Sequence, residues 1–214
     1  MSLHRSNVLR VVRRLLWGAV AFAAIALALG WALRDGPFAP KPPPIATGPA
    51  SLGIGGPFSL TDQTGRAVTE RDFRGRPMAV FFGFTHCPDI CPTTLGEFAA
   101  YMEALGADAE RIHWLFVTVD PERDTVAHLA QYLALFDPRV VGLTGTEAQV
   151  VEAARQFRVS FRRVPLEGGG YTMDHTASTF LLDAAGRFAG TIDYKEPDEV
   201  AVQKLRGLLR LPAS

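Results

Sequence analysis

Two almost uninterrupted apolar runs, at 78–84 and 112–119, stand out along the chain. Runs of that length without polar alternation fit central β-strands covered on both faces. Between them Leu95, Phe98, Ala99, Met102 and Leu105 recur at helical spacing, and Val126, Leu129, Ala130 and Leu133 repeat the pattern before a short apolar run at 140–143. Val150, Val151, Ala154 and Phe157 predict a third helix, and Val202, Leu205, Leu208 and Leu209 a last one. Two pairs of short runs flank turn sequences: 58–61 and 67–69 around Asp62-Gln63-Thr64-Gly65, and 178–182 and 188–192 around Asp183-Ala184-Ala185-Gly186. Both read as hairpins. Strands alternating with helices and closing on a hairpin and a helix predict an α/β sandwich with a mixed central sheet flanked by helices.

A different pattern precedes this domain. From 15 to 33 all nineteen residues are apolar or glycine, with Trp17 and Trp31 near the two ends. At about 1.5 Å per helical residue the segment nearly spans a hydrocarbon core of roughly 30 Å. Arg5, Arg10, Arg13 and Arg14 come before it and no acidic residue does. The positive-inside rule then sets residues 1–14 in the cytoplasm and the rest outside it. Two other readings exist. Ala26-Leu27-Ala28 has the small-residue form of a signal-peptide cleavage site, and Arg13-Arg14 also fits twin-arginine export. The expected organisation is an uncleaved, single-pass anchor at 15–33 in a bacterial inner membrane. Residues 34–51, with six prolines, are expected to act as a semi-rigid spacer. The functional domain at 52–211 then lies in the periplasm.

Composition changes the picture little: 48% hydrophobic and 21% charged residues are ordinary for a globular chain. Charge adds one point. Eighteen of the 22 basic residues and all 22 acidic ones follow residue 33, so the body is mildly acidic, which argues against nucleic acid as a partner.

The chemistry gathers where the first central run ends, in Phe84-Thr85-His86-Cys87-Pro88-Asp89-Ile90-Cys91-Pro92. Active sites of α/β folds collect at such strand ends. Pro92 suits a first helical turn, so both cysteines lie near a helix N-terminus, whose dipole favours thiolates. Four-residue spacing lets two sulfurs converge on one ion, and two thiolates favour Cu(I) over Mg²⁺ or Ca²⁺. A redox dithiol fits the same CxxxC spacing equally well. As a crosslink the pair closes too short a loop to stabilise the fold much.

Among the histidines, His175 lies in Met173-Asp174-His175-Thr176 before the run at 178–182, and is expected in a loop at a strand start. A lone histidine is more often structural than a ligand. His4 is on the cytoplasmic side, His113 starts a strand, His128 is on the helix face away from the apolar stripe, and His86 is expected to point away from Cys87.

Three segments together resemble the Sco/SenC family of copper chaperones for cytochrome c oxidase assembly: Gly83-Phe84-Thr85-His86-Cys87-Pro88-Asp89-Ile90-Cys91-Pro92-Thr93-Thr94-Leu95, Val117-Thr118-Val119-Asp120-Pro121-Glu122-Arg123-Asp124-Thr125, and Asp174-His175-Thr176. The resemblance spans roughly residues 52–211. It implies a thioredoxin-like fold and a copper site made by Cys87, Cys91 and His175, taking Cu(I), with Cu(II) as an alternative state. It further implies delivery to the dinuclear copper centre of an oxidase subunit, with a thioredoxin-like reductant as a second partner. Met173 stands where an aliphatic residue is expected and reads as a gap-filler in the core. The segment 120–125 has a local reading, in which Asp124 or Thr125 caps the next helix and Arg123 pairs with a carboxylate, and an outer one supporting the site or a docking surface.

Other roles for the pair remain. A membrane-tethered thiol–disulfide reductase, acting on the oxidase subunit's cysteines, would use Cys87 and Cys91 without copper. A thiol peroxidase would leave His175 without a task. The CxxxC spacing, and the absence of a proline just before the run at 178, favour the metal-binding, non-enzymatic reading.

Overall fold

The computed structural model describes residues 14, 16–26, 29 and 53–212. The chain divides into two units, Met1–Pro43 and Pro44–Ser214. In the first, residues 16–26 are helical, with Leu16, Trp17, Val20, Phe22 and Ile25 exposed. Among the described residues no helix is long and apolar enough to cross a membrane. The span expected at 15–33 is therefore not found as such, because part of it, with the spacer at 34–51, lies outside the described residues.

In the second unit the two apolar runs form adjacent parallel strands, β3 (Met78–Gly83) and β4 (His113–Thr118). All six β3 residues are buried, so this central strand is covered on both faces, and its neighbours β4 and β8 flank both edges. The full order is β2-β1-β5-β4-β3-β8-β9, built from β1 (Ser59–Asp62), β2 (Ala67–Thr69), β5 (Val140–Thr144), β8 (Thr179–Leu182) and β9 (Phe188–Ile192). β3, β4 and β5 run parallel, and β1, β8 and β9 add antiparallel edges, which makes the expected mixed sheet. Four helices pack on it: α1 (Ile90–Leu105), α2 (Val126–Leu133), α3 (Glu147–Gln156) and α4 (Asp198–Leu208).

The helical periodicities place the packed faces well. Leu95, Phe98, Met102 and Leu105 of α1 are all buried, and Phe98 meets the Trp114 ring edge-on at 5.1 Å. Phe82, Phe157 and Phe180 form a ring cluster, with centroids 5.2 to 6.2 Å apart, that ties β3 and β8 to the end of α3. Each such fully buried ring is worth about 2 kcal/mol of hydrophobic stabilisation. One stripe position was misplaced: Val151 is 47% exposed, and Ala153 takes its place against the sheet.

A second departure matters for function. The segment around His175, expected as a loop, belongs to a separate two-stranded sheet, β6 (Phe161–Pro165) and β7 (Tyr171–His175), joined through three consecutive glycines, 168–170. His175 is thus the last residue of a strand, opposite Phe161, and not a loop residue.

Candidate metal centre

The site forms where β3 stops. After Phe84 the chain turns, with the Cys87 amide donating to the Phe84 carbonyl, and α1 starts at Ile90. Cys91 sits in the first helical turn, fully buried; Cys87, just ahead of the helix, is half-buried. The Cys91 amide donates to Cys87 Sγ at 3.4 Å, one of the free N–H groups of the helix start. Gly83 makes room for the second sulfur, because a Cβ there would come within 2.9 Å of Cys91 Sγ.

His175 closes the site from the hairpin. Its Nε2 is 3.6 Å from Cys91 Sγ, while Nδ1 lies 2.9 Å from the Thr176 carbonyl. A carbonyl only accepts, so Nδ1 carries the proton and Nε2 turns its lone pair to the sulfurs, the usual way an outer partner sets a ligand's tautomer. Phe81 and Phe84 hold the ring edge-on, at centroid distances of 6.0 and 5.7 Å. One ligand atom from each of Cys87, Cys91 and His175 falls within 4.8 Å of the others.

The two sulfurs are not equivalent. A hydrogen bond from the Cys91 thiol, with a further one from the Cys91 amide, outweighs burial and pushes Cys87 down to about 3. The same bond ties up the Cys91 proton, and together with burial it pushes Cys91 up. Cys87 is thus a thiolate at neutral pH. A soft cation can displace the shared proton and bind both sulfurs. Two thiolates and an imidazole match Cu(I), with one side left open by the half-exposed Cys87 and His175.

The segment at 120–125 serves this arrangement in two ways. Thr125 is the N-cap of α2, accepting from the His128 amide at 3.3 Å, so the local reading holds for capping. Arg123 pairs with Asp120, as the same reading expects. Yet Arg123 also donates to the Tyr171 carbonyl at 3.0 Å and lies over the Tyr171 ring at 3.9 Å, while Tyr171 donates to Asp120 at 2.9 Å. This clamp fastens the strand that ends in His175. Asp124, fully buried, accepts from the Thr85 amide at 3.0 Å, the Thr85 hydroxyl at 2.6 Å and the Thr118 hydroxyl at 2.6 Å, which fixes the turn two residues before Cys87. Met173 is buried beside Val119 and Phe161, a core filler as expected. Asp89 is exposed and makes no side-chain cap bond.

The sequence profile of the SCO1/SenC family matches residues 47–210. The chain is 39% identical over 158 residues to Protein SCO2 homolog, mitochondrial, of Danio rerio, covering 72% of this chain and 57% of the relative. It thus spans little more than half the length of that curated relative. Among solved structures, Bradyrhizobium japonicum ScoI with copper bound is 46% identical with a TM-score of 0.68, covering 73% of this chain and 99% of that one. Yeast Sco1 with copper bound is 35% identical with a TM-score of 0.67, covering 72% and 87%. A profile match over most of the chain, together with this level of identity, places the chain in the SCO1/SenC family.

Proposed function

We propose that the protein is a membrane-anchored copper chaperone, which takes one copper ion on Cys87, Cys91 and His175 and passes it to the dinuclear copper centre of a cytochrome c oxidase subunit. The observation that carries this is the convergence of two sulfurs and an imidazole Nε2 within 4.8 Å at an accessible strand end. The copper-bound relatives support the choice of metal. A site with three protein ligands and one open side suits a carrier, since an incoming ligand of the acceptor can attack without the fold opening. Copper is cargo here, and the clamp at Arg123 and Tyr171 keeps His175 in reach while it is held. In an anaerobic titration the reduced chain takes up one Cu(I), and His175→Ala, which removes one of three ligands, weakens binding by about tenfold or more with unchanged circular dichroism. Unchanged affinity in that variant would remove His175 from the ligand set.

A thiol–disulfide reductase is the second reading, favoured by the pairing of a half-exposed, low-pKa Cys87 with a buried Cys91. A thiolate that acidic is a good leaving group but an intrinsically weak nucleophile.

The reading also includes a single-pass anchor near the N-terminus, in the inner membrane, with the copper domain in the periplasm. The arginines preceding the apolar segment support it, as do the exposed apolar side chains of the helix at 16–26. A periplasmically active reporter fused after Leu33 gives signal, and the mature protein keeps its original N-terminus. A mature chain starting near Leu29 would instead mean cleavage.

A further inference from the structure

Beside the copper ligands lies a second cluster that this function does not use. His86 and His128 stack with centroids 5.2 Å apart and planes inclined by 30°. His86 comes from the β3–α1 turn and His128 from α2, and the two meet over Asp124. His86 Nδ1 is 3.8 Å from Asp124 Oδ1, and one ligand atom from each of the three residues falls within 4.8 Å of the others. Asp124 is wholly buried while His86 is 44% exposed, so the cluster opens to solvent on one side and ends on a carboxylate on the other.

The Thr85 hydroxyl sits at the point of convergence. It lies 2.6 Å from Asp124 Oδ1, 3.0 Å from His86 Nδ1 and 2.9 Å from His128 Nε2. One hydroxyl has one proton and two lone pairs. At 2.6 Å the proton goes to the carboxylate, and both imidazoles then donate to the oxygen. Two imidazoles and a carboxylate thus already point at one spot, held there by a single small side chain.

We propose that His86, His128 and Asp124 form a second metal site, distinct from the thiolate site and selective for a borderline divalent cation such as Zn²⁺ or Cu²⁺. The donor set is the reason: imidazole and carboxylate suit these ions, whereas Cu(I) goes to the soft thiolates. One pair of ligand atoms is already near the spacing a metal requires. Ligand atoms on a tetrahedral zinc with bonds of about 2.0 Å are about 3.3 Å apart, against 3.8 Å between His86 Nδ1 and Asp124 Oδ1. Ligation moves each ring's proton to its other nitrogen, Nε2 of His86 and Nδ1 of His128, with no net proton uptake by a neutral imidazole. The Thr85 hydroxyl keeps its donation to Asp124, and water or the hydroxyl oxygen supplies the fourth ligand. With its thiolates on one side and its imidazole–carboxylate set on the other, the β3–α1 turn then carries sites of opposite softness.

The test is a Zn²⁺ titration of the full chain carrying Cys87→Ser, Cys91→Ser and His175→Ala, so that the thiolate site is gone. This chain binds one Zn²⁺, and adding His86→Ala or His128→Ala weakens binding by more than about tenfold, the lower end of what loss of even an outer partner costs a metal site. His86 is exposed, so its replacement leaves the fold intact and a loss of zinc reports ligation. No zinc binding by the parent variant overturns the proposal. So does zinc binding that either histidine replacement leaves unchanged, because the site requires both rings.

Discussion

Serine in place of either Cys87 or Cys91 abolishes stoichiometric Cu(I) binding by the reduced chain, measured by anaerobic titration against a chromophoric Cu(I) chelator. This is a far larger effect than that of His175→Ala. A hydroxyl is a hard, protonated donor at neutral pH and offers Cu(I) almost nothing, whereas a thiolate is both charged and soft. The two variants differ in what else they lose. Cys91 is fully buried, against Gly83, and its amide and thiol both point to Cys87. Cys91→Ser therefore also removes the hydrogen bond that lowers Cys87 most, and the remaining thiol becomes less acidic. Cys87→Ser takes away the thiolate and lets Cys91 fall back from its raised value. Thiol reactivity toward an alkylating probe at neutral pH then drops in both variants, to a residue that is buried in one and less acidic in the other. A serine variant that retains one tightly bound copper would show that the sulfurs are not a paired ligand set.

Much of this site could be read from the sequence because its parts are local. Cys87 and Cys91 lie on one strand–turn–helix unit, whose apolar run, proline and helical spacing are all visible over two dozen residues. The hairpin carrying His175 could not be read in the same way. Only Phe161 and Val164 of β6 are partly buried, the two positions between them are exposed arginines, 162 and 163, that look like a solvated loop, and Pro165 argues against a strand. What fastens it is long-range: Arg123 reaches Tyr171 across 48 positions, and Tyr171 reaches Asp120 across 51. The Asp124–Thr85 contact spans 39 positions and the His128–Thr85 contact 43. Periodicity sets His128 on the helix face away from the apolar stripe, and the buried stripe is indeed Leu129 and Leu133. Periodicity has no way to register that a turn from another part of the chain arrives beside that face. The one signal in reach was that histidines 86 and 128 both neighbour segments singled out on other grounds.

Oxidation of the pair to a disulfide removes Cu(I) binding altogether, and reduction restores one copper per chain. Both cysteines are reduced here, with the Cys91 thiol hydrogen-bonded to Cys87 and the Cys91 amide 3.4 Å from Cys87 Sγ. Sulfurs held so close at a four-residue spacing can reach disulfide geometry with small backbone movement, since a disulfide needs Cα atoms only about 4.4–6.8 Å apart. The reaction takes two electrons and the one shared proton from the pair, and an oxidising compartment supplies the acceptor. A disulfide has no thiolate, and copper ligation needs deprotonated sulfur, so the three-ligand set collapses to His175 alone. The low value of Cys87 makes it the better leaving group when a reductant attacks, which directs an incoming thiolate to the Cys91 sulfur or, because that sulfur is buried, slows reduction until the site opens. In the periplasm proposed above, copper loading is expected to require a separate dithiol reductant, of the thioredoxin-like kind, that acts on this pair first. Titrating Cu(I) into the oxidised chain and again after reduction, with free thiols counted in each state, gives no binding and then one equivalent. Equal affinity in both states would reject the gating and take the two sulfurs out of the ligand set with it.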